Sequence, residues 1–530
     1  AASVITIAIF GWLGLKMNMM VNVTILLILV VGVADSVHIL SGYLYFRNQG
    51  KPHKAAIEST YEKSGVAVFL TSLTTAIGML VLLVVPLVPI QRFAISASLG
   101  VLLAFIFTVF LLPLMLDLWA PKLKKPKGKV ASKDEGIHII QWLLQKVEHY
   151  SHINPNYNII VFSLLGLIFL FGVTKIQVDS NFVNIFGDGS TIETATSLVD
   201  EKMGGTQNLE IMIDMGRSEA LKQPQVLNVM NELQNYLTTE VENVVIVRSL
   251  VNIVKDSNKS LNGGRESAYV IPQDPAVLEQ TLFLFNNANP VDRRKVVSDN
   301  YQKAHITVNF LNMGSMHYTA IVADIEKKMA QLFAPLKKDY PQMQVNATGG
   351  LTIILKMVDY LSWSQIQGFA IALLAISGIL FFIFDSWRIG LIALFPNVFP
   401  LVIVFGTMGY FGIPLDVDTL IVAPLMIGIV VDDTIHFLTH YREEIIKHND
   451  KYLAISKAFR EVGQAIVFTS IILSASFLTF LLLEHQGMKH FGLLAAVAIM
   501  TALLAELFLL PALLLKYNVT FPIKKAKVVS

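Results

Sequence analysis

The sequence predicts a polytopic α-helical membrane protein whose transmembrane bundle is repeated about a pseudo-two-fold axis, with one α+β domain inserted between spans. Three observations carry this prediction. Of 530 residues, 54% are hydrophobic and 15% charged, with a mean hydropathy of +0.58, far from the composition of soluble domains. Ten apolar segments count as candidate spans, at 1–15, 19–40, 66–90, 93–116, 158–173, 366–384, 389–413, 419–438, 464–483 and 491–515. Sliding the chain along itself by 398 residues lays Gly32 to Tyr43, G-V-A-D-S-V-H-I-L-S-G-Y, over Val430 to Tyr441 without a gap. The same register pairs Gly65 with Gly463, Thr71 and Ser72 with Thr469 and Ser470, and Leu111, Leu112, Pro113 with Leu509, Leu510, Pro511. One ungapped register over about a hundred residues is the mark of a duplication. The net charge of +2 argues against nucleic acid as a partner, and the absence of cysteine excludes disulfides, thiolate metal sites and cysteine nucleophiles.

In chain order, residues 1–116 form a first block of four spans. Seven lysines lie between Asp117 and Tyr157, and the loops 47–63 and 442–460 are basic, whereas the alternate loops near Lys16, Arg92, Tyr410 and Lys489 hold at most one basic residue each. The basic loops are therefore expected on the cytoplasmic side. Residues 117–157 read as a basic cytoplasmic linker in which Ile139, Ile140, Leu143, Leu144 and Val147 line a helix lying on the membrane surface. A solvated hinge is the open alternative. A lone span, 158–174, follows.

Residues 175–350 have soluble composition. Leu209, Ile211 and Ile213 alternate with polar neighbours, as do Ile306, Val308, Phe310 and Met343, Val345, Ala347, which predicts strands. Val226, Val229, Met230, Leu233, Leu237 and Ile321, Ile325, Met329, Leu332 keep helical spacing. With a strand at 244–247, the order strand, helix, strand, twice over, predicts a ferredoxin-like α+β domain. The stretch 251–300 has weak periodicity and reads as a flap or insertion. The paired glycines 204–205, 263–264 and 349–350 read as turns, not phosphate loops. Five further spans occupy 351–516, with Pro396, Pro400, Pro414 and Pro424 implying kinks, and a basic tail occupies 517–530. Under the 398-residue offset Ala1 falls on Phe399, partway into a span. About 240 further upstream residues, and a parent of twelve spans, are therefore expected.

The chemistry concentrates in Met426 to Tyr441, M-I-G-I-V-V-D-D-T-I-H-F-L-T-H-Y. An acid near the centre of a membrane helix costs about 2.5–3.5 kcal/mol, so Asp432, Asp433 and His436 must face a protein interior or a wet cavity. Asp433 and His436 share a helical face, as do Asp35 and His38; Asp432, His436 and His440 recur every four residues. Two adjacent carboxylates in low dielectric do not readily ionise together, and one of them is suited to take up and release a proton, with an imidazole as exchange partner. Thr469, Ser470, Thr71 and Ser72 on the following helices offer hydroxyls for a proton wire. Three readings are open: a proton-coupling site, which the duplication favours; a metal site of Asp432, His436 and His440, for which the first half supplies only Asp35 and His38; and a buried polar network that fixes helix packing. Glu506 either extends the relay, meets a cation or snorkels, and His440 by itself reads as interfacial. No motif calls for a cofactor or an enzymatic activity.

These residues resemble the resistance-nodulation-division (RND) superfamily in its MMPL-type branch: the duplicated block G-I-V-V-D-D-T-I-H-F-L-T-H-Y-R-E-E, the Thr469-Ser470 pair one span later, the closing L-L-P and the single insertion after the first span of the repeat. The resemblance implies that the chain holds spans three to twelve of twelve, that 175–350 is a periplasmic porter-type domain, and that Asp35, Asp432 and Asp433 are proton-relay acids. It implies a proton-driven exporter of a lipid or other amphiphile in a bacterial inner membrane, with protons, membrane lipids and a hydrophobic substrate as partners. A periplasmic carrier or a second copy of the chain remains an open partner. The multidrug branch has an aspartate pair in its fourth span and a lysine in its tenth. Here Asp35 follows Ala34, the pair stands in the tenth span without a lysine, and the porter region has no room for a docking subdomain, which favours lipid handling over tripartite drug efflux. The alternatives are an accessory factor for protein translocation and a sterol-sensing-type receptor or scaffold.

Overall fold

The computed structural model describes residues 1–118, 138–179, 181, 183, 186, 187, 189–287, 289–416, 418–519 and 521, so the lysine-rich part of the linker and nearly all of the 517–530 tail lie outside the described residues. The chain divides into two units, Ala1–Gln177 with Tyr360–Ser530, and Val178–Asp359. The first opens with α1 (Ala2–Trp12), eleven residues long. Among the described residues nine helices are long and apolar enough to cross a membrane, and α1 is a shorter apolar helix beside them.

Helix α2 (Met19–Asn48) begins where the Asn18 side chain accepts the Val21 N–H at 2.9 Å, a polar N-cap on an otherwise apolar segment. It is followed by α3 (His53–Leu80) and α4 (Val88–Leu118). Helix α5 (His138–Ile153) is the one expected to lie on the membrane surface. It packs on other helices through one face: Leu144 is buried against Gly463, and Ser151 Oγ donates to the Leu507 carbonyl at 3.3 Å. Trp142 and Leu143 stay exposed. Helix α6 (Pro155–Val173) completes this part, with proline in the first turn, where its missing N–H would have no partner anyway.

The second unit starts with α7 (Thr191–Met203), capped by the Ser190 hydroxyl. Gly204 and Gly205, both at φ +92°, end it; a side chain on Gly205 would run into the Phe310 backbone. Then follow β1 (Gln207–Asp214), α8 (Pro224–Thr239), β2 (Val244–Arg248), α9 (Leu250–Leu261), α10 (Pro275–Asn286), α11 (Pro290–Arg294), β3 (Lys303–Phe310), α12 (Ser315–Phe333) and β4 (Gln344–Thr348). The four strands form one sheet in the order β2-β3-β1-β4. All pairs are antiparallel, with Ile211 opposite both Ile306 and Ala347. Alternation along the strands sends Leu209, Ile211, Ile213, Ile306, Val308 and Phe310 into a core closed by Met230, Leu233 and Leu237 of α8 and Ile325 and Met329 of α12. The stretch that reads as a flap contains three helices. Helix α9 is amphipathic, with Leu250, Val251 and Val254 buried on one face, and it opens on a Ser249–Asn252 capping box.

The chain continues through α13 (Gly350–Phe384), α14 (Trp387–Phe411), α15 (Val422–His448), α16 (Lys451–Ala458), α17 (Gln464–Leu478), α18 (Gln486–Leu504) and α19 (Leu510–Lys516). π-Helical turns at Phe459–Gly463 and Ala505–Leu509 join α16 to α17 and α18 to α19. Pro414 lies between helices, outside the spans, whereas Pro424 stands near the start of the span Thr419–His448 and Pro396 and Pro400 inside α14. Helix α15 is the most enclosed of the nine. It crosses α3 with little between the backbones: Gly428 faces Thr75 Cα, Gly78 faces the Pro424 carbonyl, and Thr75 Oγ1 donates to the Gly428 carbonyl at 2.9 Å. Small residues permit the same approach between α6 and α14, where a Cβ on Gly409 would fall on the Gly172 carbonyl.

Candidate functional site

Helices α2 and α15 bring the two copies of the acidic motif together. Asp35 accepts a hydrogen bond from Ser72 Oγ on α3 at 3.1 Å, and Asp433 from Ser470 Oγ on α17 at 3.4 Å, the same contact at positions 398 residues apart. Between them His38 and His436, also related by the offset, stack face to face with centroids 4.0 Å apart and planes 1° from parallel. All four side chains belong to buried residues.

The pairing within this cluster is only in part the one that helical spacing suggests. Asp433 does not turn to His436 on its own helix; its Oδ1 lies 3.9 Å from His38 Nε2 of the other half. His436 Nε2 lies 3.3 Å from Asp432 Oδ1, misaligned for a hydrogen bond. The Nε2 atoms of His38 and His436 and Oδ1 of Asp432 are buried without a hydrogen-bond partner in the protein. Orphaned atoms of this kind cost about 1–3 kcal/mol each, and three converging at one place make a site where a proton can be exchanged. Thr71, whose hydroxyl donates to the Val68 carbonyl, also interacts with the Asp432 carboxylate, whereas the Thr469 hydroxyl donates to the Ala465 and Ile466 carbonyls of its own helix.

A ring nitrogen of His38, a carboxylate oxygen of Asp432 and a ring nitrogen of His436 lie within 4.8 Å of one another, the one group of metal-ligand spacing among the described residues. His440, expected beside Asp432 and His436 in a ligand set, is not part of it. Each imidazole lone pair lies in its ring plane, and two stacked parallel planes do not meet, so one ring must rotate before both can bind one ion.

Glu506 does not snorkel. It is fully buried in the second π-turn, its Oε1 takes the Thr434 hydroxyl, and Thr434 also meets Asn397 Oδ1 at 3.0 Å. It has no cationic partner among the described residues. Thr434 follows Asp433 directly, which makes Glu506 and Asn397 neighbours of the acid pair. His440 is buried within the protein, 4% exposed, and its Nδ1 lies 2.7 Å from Glu461 Oε2. Glu461 is paired with Lys63 and accepts from Tyr45 OH at 3.3 Å. Helical spacing could not find this group, yet Lys63 and Glu461 are themselves 398 residues apart, so opposite charges at equivalent positions were its signal.

At the other end of α15, Asp418 is buried 3.7 Å from His485. Burial, with the Asp416 charge adding to it, pushes Asp418 up to about 7, and burial pulls His485 down. His485 is also the N-cap of α18. A side chain on Gly487 would collide with the Asp418 carboxylate.

The family model described as MMPL family matches residues 187–522, and that described as Patched SSD matches residues 1–118. A putative membrane protein of Methanocaldococcus jannaschii is 24% identical over 384 residues, 71% of this chain and 94% of its own length. The hopanoid transporter HpnN of Burkholderia multivorans is 34% identical over 90 residues, 17% of this chain and 10% of its own. The apo-petrobactin exporter of Bacillus anthracis is 24% identical over 183 residues, 34% of this chain and 25% of its own. Two solved structures share the fold. The hedgehog release protein Disp of the water bear Hypsibius dujardini has a TM-score of 0.61 at 16% identity over 94% of this chain and 63% of its own. The translocon-associated membrane protein SecDF of Thermus has 0.55 at 14% identity over 98% and 57%. With a family model covering more than half of its length and nine apolar helices, the chain belongs to the MMPL family of multi-pass membrane proteins.

Proposed function

We propose that the chain is the larger part of a proton-driven exporter that moves a lipid or other amphiphile out of a bacterial inner membrane. The observation that carries this is the buried stack of His38 on His436, with Asp433 reaching the one and Asp432 the other. Titratable groups from two repeats, held off their partners inside a membrane bundle, suit transient proton binding better than static packing. In this reading the repeats arose by duplication, the basic loops face the cytoplasm, and the α+β unit is a periplasmic porter domain. The sheet order β2-β3-β1-β4, with α8 between β1 and β2 and α12 between β3 and β4, supports a ferredoxin-like split β-α-β in which α9 to α11 are an insertion. The names of two relatives, a hopanoid transporter and a petrobactin exporter, support an amphiphilic cargo.

The Patched SSD match to residues 1–118 favours a second reading, a sterol-sensing-type receptor or scaffold. One experiment separates them. In proteoliposomes with an imposed pH gradient, Asp433→Asn is expected to reduce proton uptake at least tenfold while the protein still elutes as one folded species. Uptake equal to that of the parent would reject the transporter and leave the scaffold.

A further inference from the structure

The membrane bundle closes, at the end bearing Glu443, on an ion pair that the proposed cycle has not yet used. Lys63 on α3 meets Glu461 in the first π-turn, with side chains only 18% and 11% exposed. Glu461 also holds His440 and Tyr45, and Lys63 reaches outward to Glu443, 3.9 Å away on the more exposed side. Lys63 and Glu461 form one wall of a partly open cavity of about 20 Å³ whose other walls include Ser41, Tyr45, His38, His436 and His440. A water needs on the order of 10–15 Å³ for its centre, so the cavity takes one. The Nε2 atom of His440 is buried there without a protein partner, like those of His38 and His436.

Local geometry explains why the pair sits where it does. In the first half, α3 runs as regular helix through residues 61–65. The equivalent residues of the second half form a π-turn, which widens the helix by one residue per turn and re-aims the side chains on it. Glu461 thus breaks the symmetry that the stacked histidines keep. A long arm from each half, one acidic and one basic, meets at the wall of the cavity.

We propose that Lys63 and Glu461 form the inner gate of the proton path. While the pair is closed it restricts passage from bulk water to the stacked rings; when it parts, water becomes continuous from Glu443 to His38 and His436, with His440 handing protons between Glu461 and the stacked rings. The identity of the ion rests on the proton-driven reading. The gate does not.

The chain has no cysteine, so the test needs no background substitutions. The full chain carrying Ser41→Cys is reconstituted in vesicles and treated with a membrane-impermeant methanethiosulfonate reagent. Labelling is expected to be slow with the pair intact, at least about tenfold faster with Lys63→Met or Glu461→Gln, and slow again in the charge-swapped double variant Lys63→Glu with Glu461→Lys. Equal rates in all four backgrounds overturn the gate. Where Glu461→Gln does not elute as a folded species, Glu461→Asp carries the test: it shortens the arm by one methylene, and a rate no higher than that of the intact pair overturns the proposal. Unchanged proton uptake by Asp433→Asn, by contrast, removes the proton-driven reading and leaves the labelling result standing.

Discussion

Asp433 and Thr434 are adjacent on α15, yet they face different neighbours: the carboxylate meets Ser470 and His38, the hydroxyl meets Asn397 and Glu506. Thr434 is fully buried, so replacing it by the near-isosteric valine strips a hydrogen bond from Glu506 without changing volume. Thr434→Val is expected to cost about 1–3 kcal/mol, read as a lower Tm in detergent. Asp418 supplies a pH signature. The unfolded chain ionises this acid near 3.8 and the folded chain near 7. Between those values the folded state holds a proton that the unfolded state has lost, so the contribution of Asp418 to stability is greatest below about pH 4 and declines as pH rises to about 7. Thermal unfolding across that window should show a flatter Tm profile for Asp418→Asn than for the parent; identical profiles would deny the effect of burial.

The second-half helices differ from their first-half counterparts at two π-turns, and both carry an acid, Glu461 in one and Glu506 in the other. The equivalent stretches of α3 and α4 are regular helix, with Lys63 and Thr108 at the matching positions. Since the 398-residue register runs through both without a gap, the turns arise from packing and not from insertion. The contact of α6 with α14 depends on glycine for another reason: backbones approach until no Cβ fits. Gly409→Ala places a methyl on the Gly172 carbonyl and is expected to destabilise by about 1–3 kcal/mol, seen as a lower Tm, whereas Gly378→Ala on α13, with open space around it, should be neutral or slightly stabilising.

Over the whole molecule, the α+β unit has a core of its own, from Leu209 and Ile211 through Phe310 to Phe333 and Leu336. Residues 178–349 expressed alone should therefore be soluble and unfold in one cooperative transition by circular dichroism; a molten, non-cooperative profile would show that this core needs the helices around it. Much of the molecule was legible in its residues. Long apolar runs identify membrane helices because burial in lipid follows composition, and alternation identified the strands because side chains on a pleated chain point to opposite faces. The positions of Asp35, His38, Asp432, Asp433 and His436 were equally visible, since charge within an apolar run needs no partner to be noticed. Their pairing was visible only in part. Whether Asp433 meets the histidine one turn along its own helix or the one on α2 depends on how closely α3 and α15 cross at Gly78 and Gly428, and whether Glu461 reaches Lys63 depends on a π-turn with no sequence marker. Local periodicity determined the elements and which residues carry chemistry. Tertiary packing alone decided which of those residues touch across the two halves, because contacts between chain segments some 400 residues apart are set by backbone approach and helix rotation, and neither is written in any single helix.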